Sequence, residues 1–422
     1  MNILAFVNSL CLGGTEKAAC RWAWGLKERG HVVCVLSLKD GPRRAELEAH
    51  GVTIQIVPEI AGSIASVIAS ICPDVIHAHA PGFPCEGDIY GEALLLLPKI
   101  PLVQTNIFGR LENPKEDAWT DFRLFISWTS CVQAARRAGI PLDHCFFRKA
   151  SVAVYPLDPD DGPAPKEIAD FRASHGIDSS EVVFGRLSRP EPNKWTDLPL
   201  TAFRQALKRN CNLKLLLREP PPLVTAALRA AADADRFCIL PATSDPAELR
   251  LTMASFDVVL HTSNIGESFG YGIAEPMNLG KPVITNSVPW TDQAQLELVR
   301  HGEGGLHGST PKTMSKAILA LAADPELRTR MGEKARDHIR VMSDPNQSLD
   351  RLEDALKASI EGEPNPRIEE DLQHVKITAD YLDVHQFGHG FLEQIALRPF
   401  YHRVRFHQWR EAKKLAIRCA LK

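Results

Sequence analysis

Short runs of β-branched and aliphatic residues punctuate this chain. Each is followed by a polar or glycine-bearing turn, and then by a stretch with helical spacing. The first run is Ile3–Val7, with Leu12, Gly13 and Gly14 in the loop after it. A helix is predicted from Thr15 to Arg29, where Ala18, Trp22 and Leu26 recur at i, i+4 and i+8 as an apolar stripe. Gly30 stops that helix, and Val32–Leu36 is the second strand. Val52–Val57, Val75–His77 and Leu102–Thr105 are further strands, and Val152–Tyr155 is expected to be the last of this half. Strands alternating with helices predict a parallel sheet.

The pattern breaks at 156–165, which is dense in Pro, Asp and Gly and forms the best linker in the chain. It then restarts. Val182–Phe184, Leu213–Leu217, Phe237–Leu240, Val258–Leu260 and Val283–Thr285 are strands, with helices near Leu198–Arg209 and Leu223–Asp233. The predicted fold class is α/β: two doubly wound Rossmann-like domains facing a cleft, with C-terminal crossover helices. The domains are 1–157, 158–345 and a helical crossover or extension over 346–422.

Composition narrows the function classes. A chain of 422 residues is too long for one ordinary core, and 44% hydrophobic residues is a globular content. A net charge of −3 gives no reason to expect nucleic acid. The 10 cysteines form no C-x-x-C pair, as expected of reduced residues in a cytoplasmic protein. Met1–Val7 carries no basic leader and reads as a strand, and no apolar run reaches membrane-spanning length.

The candidate chemistry lies in the turns. Glu267 and Glu275 stand eight positions apart around Phe269, Gly270 and Tyr271, between the strand ending at Leu260 and the one beginning near Pro282. A helix start offers unpaired N–H groups and a positive dipole end to phosphates. One carboxylate suits sugar hydroxyls, and the other a ribose diol about two turns along. The helix should begin near Gly272, since Pro276 is tolerated only near a first turn. Gly13 and Gly14 allow a phosphate to approach the first helix. They do not match G-x-G-x-x-G. Arg186, Arg189 and Lys194 are cations on one proline-stiffened loop, able to neutralise a departing diphosphate without a metal. His77 and His79 end a strand on one face, and Gln104, Thr105 and Asn106 end another. Both are cleft-lining candidates. No third ligand accompanies the histidines, so no metal and no cofactor is expected.

In this order the segments resemble the retaining GT-B glycosyltransferases of the large nucleotide-sugar-dependent group. They are Leu12–Glu16, Asp74–His79, Gly185–Lys194, Glu267–Glu275, Gly280–Ile284 and Leu298–Leu306, and the resemblance covers roughly the first 345 residues. It implies that Gly14 approaches the donor phosphate and that Arg186 and Lys194 hold the diphosphate. Glu267 would bind the donor sugar, with backbone contacts from Phe269, Gly270 and Tyr271, and Glu275 the ribose. The Arg–Lys spacing is longer than the commonest form, so Arg189 shares or replaces the role of Arg186. Asn106 and Ile107 occupy a region where many members carry a histidine.

The resemblance thus implies a metal-independent, retaining transfer from a nucleotide-diphosphate sugar to a hydroxyl acceptor on a glycan, glycolipid or small molecule. The leaving phosphate would deprotonate the acceptor. The rivals are another GT-B sugar-phosphate enzyme, either a phosphorylase or a nucleotide-sugar epimerase, and a non-catalytic binding protein with the same fold. The terminal stretch Leu397–Lys422 interleaves eight cations with Phe400, Tyr401, Phe406 and Trp409 against one acid, Glu411. It is expected to close as a helix on the first domain, and its basic rim offers a peripheral contact to the inner membrane face.

Overall fold

The computed structural model describes residues 1–82, 88–113, 118–191, 194–289 and 291–388. They fall into two units: Met1–Asp158 with Ser343–Thr378, and Pro159–Met342 with the described chain from Ala379 onward.

The first unit is built on seven strands: β1 Asn2–Val7, β2 Val32–Ser37, β3 Thr53–Ile56, β4 Val75–Ala80, β5 Leu102–Asn106, β6 Phe122–Phe125 and β7 Ala150–Val152. All neighbours are parallel, in the order β3-β2-β1-β4-β5-β6-β7. Ile3 to Val7 are each no more than 2% exposed. A parallel strand covered on both faces needs a continuous apolar run, and β1 supplies one. Leu4, Phe6, Leu36 and Ile76 pack with Ile64 and Ile68 of the helix Ala61–Ile71.

The segment after Ser343 belongs to this unit for a visible reason. Trp22, wholly buried on the helix Gly14–Glu28, donates its indole N–H to Ser348 Oγ at 2.8 Å. Ser348 lies on the helix Pro345–Glu361 and in turn donates to the Val154 carbonyl at 2.6 Å. That bond also explains a difference from expectation. The apolar run Val152–Tyr155 leaves the sheet after Val152, and Ala153, Val154 and Tyr155 stay buried as irregular chain.

The second unit repeats the plan with β8 Val182–Leu187, β9 Leu213–Arg218, β10 Phe237–Leu240, β11 Val258–Leu260, β12 Val283–Thr285 and β13 Gly305–His307. Its parallel order is β10-β9-β8-β11-β12-β13. Phe184, Leu215, Leu217, Val258, Leu260 and Ile284 pack with Phe203 of the helix Asp197–Leu207 and Ile318 of the helix Pro311–Ala323. In both sheets the winding direction reverses beside the first strand. The switch points lie between β1 and β4 and between β8 and β11, and in open α/β sheets ligands bind outside the strand ends at such points.

The last described helix, Ile368–His385, contains the division between the units at Thr378/Ala379. No helix among the described residues is long and apolar enough to cross a membrane. The expectations for Leu397–Lys422, and for most of the extension beyond His385, lie outside the described residues.

Candidate functional site

The loops after β8 and β11 meet at the switch point of the second sheet. Val258 pairs with Phe184 and Val259 with Gly185, so these two strands end side by side. The β8 loop carries Lys194 and the β11 loop carries Glu267. Lys194 Nζ donates to both Glu267 carboxylate oxygens, each at 2.8 Å. The pair is well shielded, with side chains 15% and 13% exposed.

Glu267 is held on every side. His261, the first residue after β11, donates from Nε2 to Glu267 Oε1 at 3.0 Å, because a carboxylate can only accept. The Glu267 N–H donates to Gln295 Oε1 at 3.0 Å, and its carbonyl accepts from the Ala294 N–H at 2.8 Å. Gln295 is buried and donates from Nε2 to the Asn286 carbonyl at 3.2 Å. Burial pushes the Glu267 carboxyl up, but the His261 hydrogen bond and the Lys194 charge outweigh it and bring it down to about 2. Burial lowers His261, against the pull of Glu267.

Two glycines shape this loop. Gly266 has φ +67°, and a Cβ there would stand 1.4 Å from the Asp292 carbonyl oxygen. Gly270 has φ +107°, and a Cβ there would press on Glu267 Cβ and Cγ at 3.2 Å. Both positions therefore require glycine.

Gly270 opens the helix Tyr271–Asn278. Pro276 stands inside this helix rather than in its first turn, and Glu267 lies in the turn before the helix, as expected. Glu275 is half-buried in the second turn, on the same face as Tyr271. Phe269 is buried with its ring edge-on to Tyr271 at 4.9 Å.

Arg186 differs most from the sequence picture. It is 2% exposed rather than a loop cation. Its guanidinium donates to the Thr262 carbonyl at 2.8 Å, to Thr262 Oγ1 at 3.3 Å, to the Leu260 carbonyl at 3.5 Å and to the Lys194 carbonyl. It also lies 4.6 Å from the centroid of the Trp195 ring. Burial lowers it to about 10. It stitches the end of β11 to the backbone of Lys194. Arg189 is the exposed cation, 71% accessible and paired with Glu191 at 3.1 Å.

The first sheet's switch point holds Gly13, Gly14 and His79. A Cβ on Gly13 would meet Glu16 Oε2 at 1.9 Å, so glycine here makes room for that carboxylate, which also accepts from Ser9 Oγ at 3.0 Å. Gly14 is the first helical residue. His77 and His79 are buried 4.7 Å apart, and the Trp22 ring lies 5.5 and 5.7 Å from them. His77 Nε2 is hydrogen-bonded to Thr105 Oγ1 at 2.8 Å. Burial pushes His79 down to about 4. Asn106 is wholly buried and closes a local turn, with Oδ1 accepting from the Arg110 N–H at 3.0 Å and Nδ2 donating to the Arg110 carbonyl. Among the described residues no group of three or more His, Cys, Asp or Glu side chains is gathered to hold a metal ion.

Sequence reasoning missed His261 and Gln295. His261 had a usable signal, being the first polar residue after an apolar strand beside the switch point. Gln295 had none, since its role depends on a fold-back of the chain across 28 residues.

Residues 167–338 match the family model described as "Glycosyl transferases group 1". The chain is similar to a D-inositol 3-phosphate glycosyltransferase of Segniliparus rotundus, 29% identical over 183 residues. That match covers 41% of this chain and 39% of the relative, so the chain spans well under half of that curated relative's length. Among solved structures it resembles Anabaena Alr3699/HepE in complex with UDP and glucose, with TM-score 0.68 and 19% identity over 85% of this chain and 100% of the other. It also resembles a glycosyltransferase from Rickettsia africae, with TM-score 0.69 and 15% identity over 85% of this chain and 98% of the other. At such identities these likenesses establish the fold.

Proposed function

We propose, from the premise that this chain has the GT-B glycosyltransferase fold and carries a glycosyl transferases group 1 domain over residues 167–338, that it moves a sugar from a nucleotide-diphosphate donor to a hydroxyl acceptor. The observation that carries the reading is the shielded Lys194–Glu267 pair at the second sheet's switch point, with Glu267 in the loop that leads into the helix Tyr271–Asn278. It sets a cation for a diphosphate beside a carboxylate for sugar hydroxyls. In this reading Lys194 and Arg189 neutralise the diphosphate, and Arg186 positions Lys194. Glu275 takes the ribose, and the backbone at Phe269, Gly270 and Tyr271 lines the sugar. Gly13, Gly14, His79 and Asn106 are the first unit's candidates for phosphate and acceptor contacts. The transfer retains anomeric configuration, with the leaving diphosphate accepting the acceptor's proton.

A thermal-shift screen over UDP-, GDP-, ADP- and dTDP-sugars tests this. A donor at about 100-fold above its Kd stabilises the protein by about 2.7 kcal/mol. On a unit of this size that raises Tm by roughly 5–10 °C. No shift with any donor, together with no release of nucleoside diphosphate, would defeat the reading. Retention is checked by the anomeric coupling constant of the product.

The reading also needs no metal, because arginine and lysine side chains supply the charge that a metal would. EDTA is expected to leave turnover largely intact. Loss of activity on chelation, restored by Mg²⁺ or Mn²⁺, would overturn this part.

A further inference from the structure

Glu267 has two cationic or cation-capable partners of different kinds. Lys194 comes from a loop, on a flexible stem, and reaches across from β8. His261 directly follows β11, is 4% exposed and bonds Glu267 through Nε2. Lys194 neutralises Glu267 in this structure, so the carboxylate suited to sugar hydroxyls and the ammonium suited to a diphosphate occupy each other. A donor must compete for both.

We propose that donor binding draws Lys194 from Glu267 to the diphosphate, and that His261 takes up a proton to replace the lost cation, so that donor affinity is coupled to proton uptake at this histidine. The inference rests on the nucleotide-sugar reading above and deepens it. His261 is then a positioning residue: it acts on the donor through Glu267.

The charge balance is explicit. Glu267 faces Lys194 and His261, and Arg186 adds a further positive charge nearby. His261 already spends its Nε2 proton on Glu267, so a second proton enters at Nδ1. Burial and the two neighbouring cations, Lys194 and Arg186, disfavour that proton while Lys194 stays on Glu267, and Glu267 favours it. When Lys194 turns to a diphosphate its charge is cancelled there, and the carboxylate's full field falls on His261. The imidazole therefore protonates more readily in the complex than while Lys194 is paired with Glu267. By linkage, donor affinity rises as pH falls through the window between the two protonation midpoints, and is level on either side of it.

Isothermal titration tests this with UDP-glucose, GDP-mannose, ADP-glucose and dTDP-glucose at neutral pH, in buffers of low and high ionisation enthalpy. The binding donor should show net proton uptake. His261→Gln keeps a donor at the position of Nε2 but cannot titrate; it should still bind, with no uptake and with a pH-independent affinity. His261→Ala, which removes the hydrogen bond as well, should bind roughly 10-fold more weakly. Binding without proton uptake in the wild type overturns the proposal and leaves the donor-site reading standing. Uptake that persists in His261→Gln overturns the assignment to His261. Absence of binding for all four donors overturns the donor-site reading and this inference with it.

Discussion

Exchanging Lys194 for alanine should lower kcat/KM for the donor by about 10²–10³-fold, the loss expected when one charge-stabilising group is removed from a developing anion. The same change should make the protein more acid-labile. Glu267 is lowered from 4.5 to about 2 in the folded state, with His261 and Lys194 overcoming burial. A depressed carboxyl stabilises the fold above its ordinary value, and that stabilisation fades as pH falls towards 2; here it is worth roughly 3 kcal/mol. Without Lys194 the folded value rises towards the ordinary one, so part of this contribution disappears and the acid-unfolding midpoint moves up. Steady-state kinetics and an acid titration followed by circular dichroism measure both effects. If the two titration curves coincide and turnover is unchanged, Lys194 neither partners Glu267 nor serves the diphosphate.

The dependence of Lys194 on its partners also marks what a linear reading can and cannot see. The alternation of apolar runs and helical spacing located ten of the thirteen strands among the described residues, most of them apolar because they are buried on both faces. Two of the three that escaped carry little signal of their own. β6 is Phe122-Arg-Leu-Phe, four residues between Asp121 and Ile126-Ser127, with an arginine inside the run. β13 is Gly305-Leu-His, three residues in a glycine-rich stretch with nothing β-branched, and it becomes a strand by pairing with β12. Val152–Tyr155 failed in the opposite sense. It is apolar because it is buried, yet Ser348, nearly two hundred residues away, takes the Val154 carbonyl.

The site was legible in part for the same reason. Loops at strand ends are where function collects in such sheets, so Lys194, Glu267, Gly270 and Glu275 could be singled out from position and chemistry alone. Their partnerships could not. That Lys194 closes on Glu267, that His261 shares the carboxylate, and that Gln295 pins its backbone all depend on which loops the winding brings together. Arg186 is the clearest case. Arginines are usually exposed. Here Arg186 is itself a residue of β8, and the parallel pairing of β8 with β11 places its guanidinium under the neighbouring strand's end.

Arg186→Lys should therefore behave as a folding lesion as much as a binding one. The guanidinium fork spans from the Leu260 and Thr262 carbonyls to that of Lys194, and a lysine has a single nitrogen that can reach one side of this span. Carbonyls left without a donor in a buried place cost about 1–3 kcal/mol each. The variant should lose about 2–4 kcal/mol, seen as a fall in Tm of roughly 5–15 °C. Donor affinity should weaken as well, because the backbone of Lys194 loses its anchor. Arg189→Ala provides the contrast. Its side chain is 71% exposed and pairs with the surface acid Glu191, so Tm should move by about 1 °C or less while KM for the donor rises. Should Arg186→Lys instead keep the wild-type Tm and only raise KM, the guanidinium would be a direct ligand of the diphosphate, and the anchoring role drawn from its burial would be wrong.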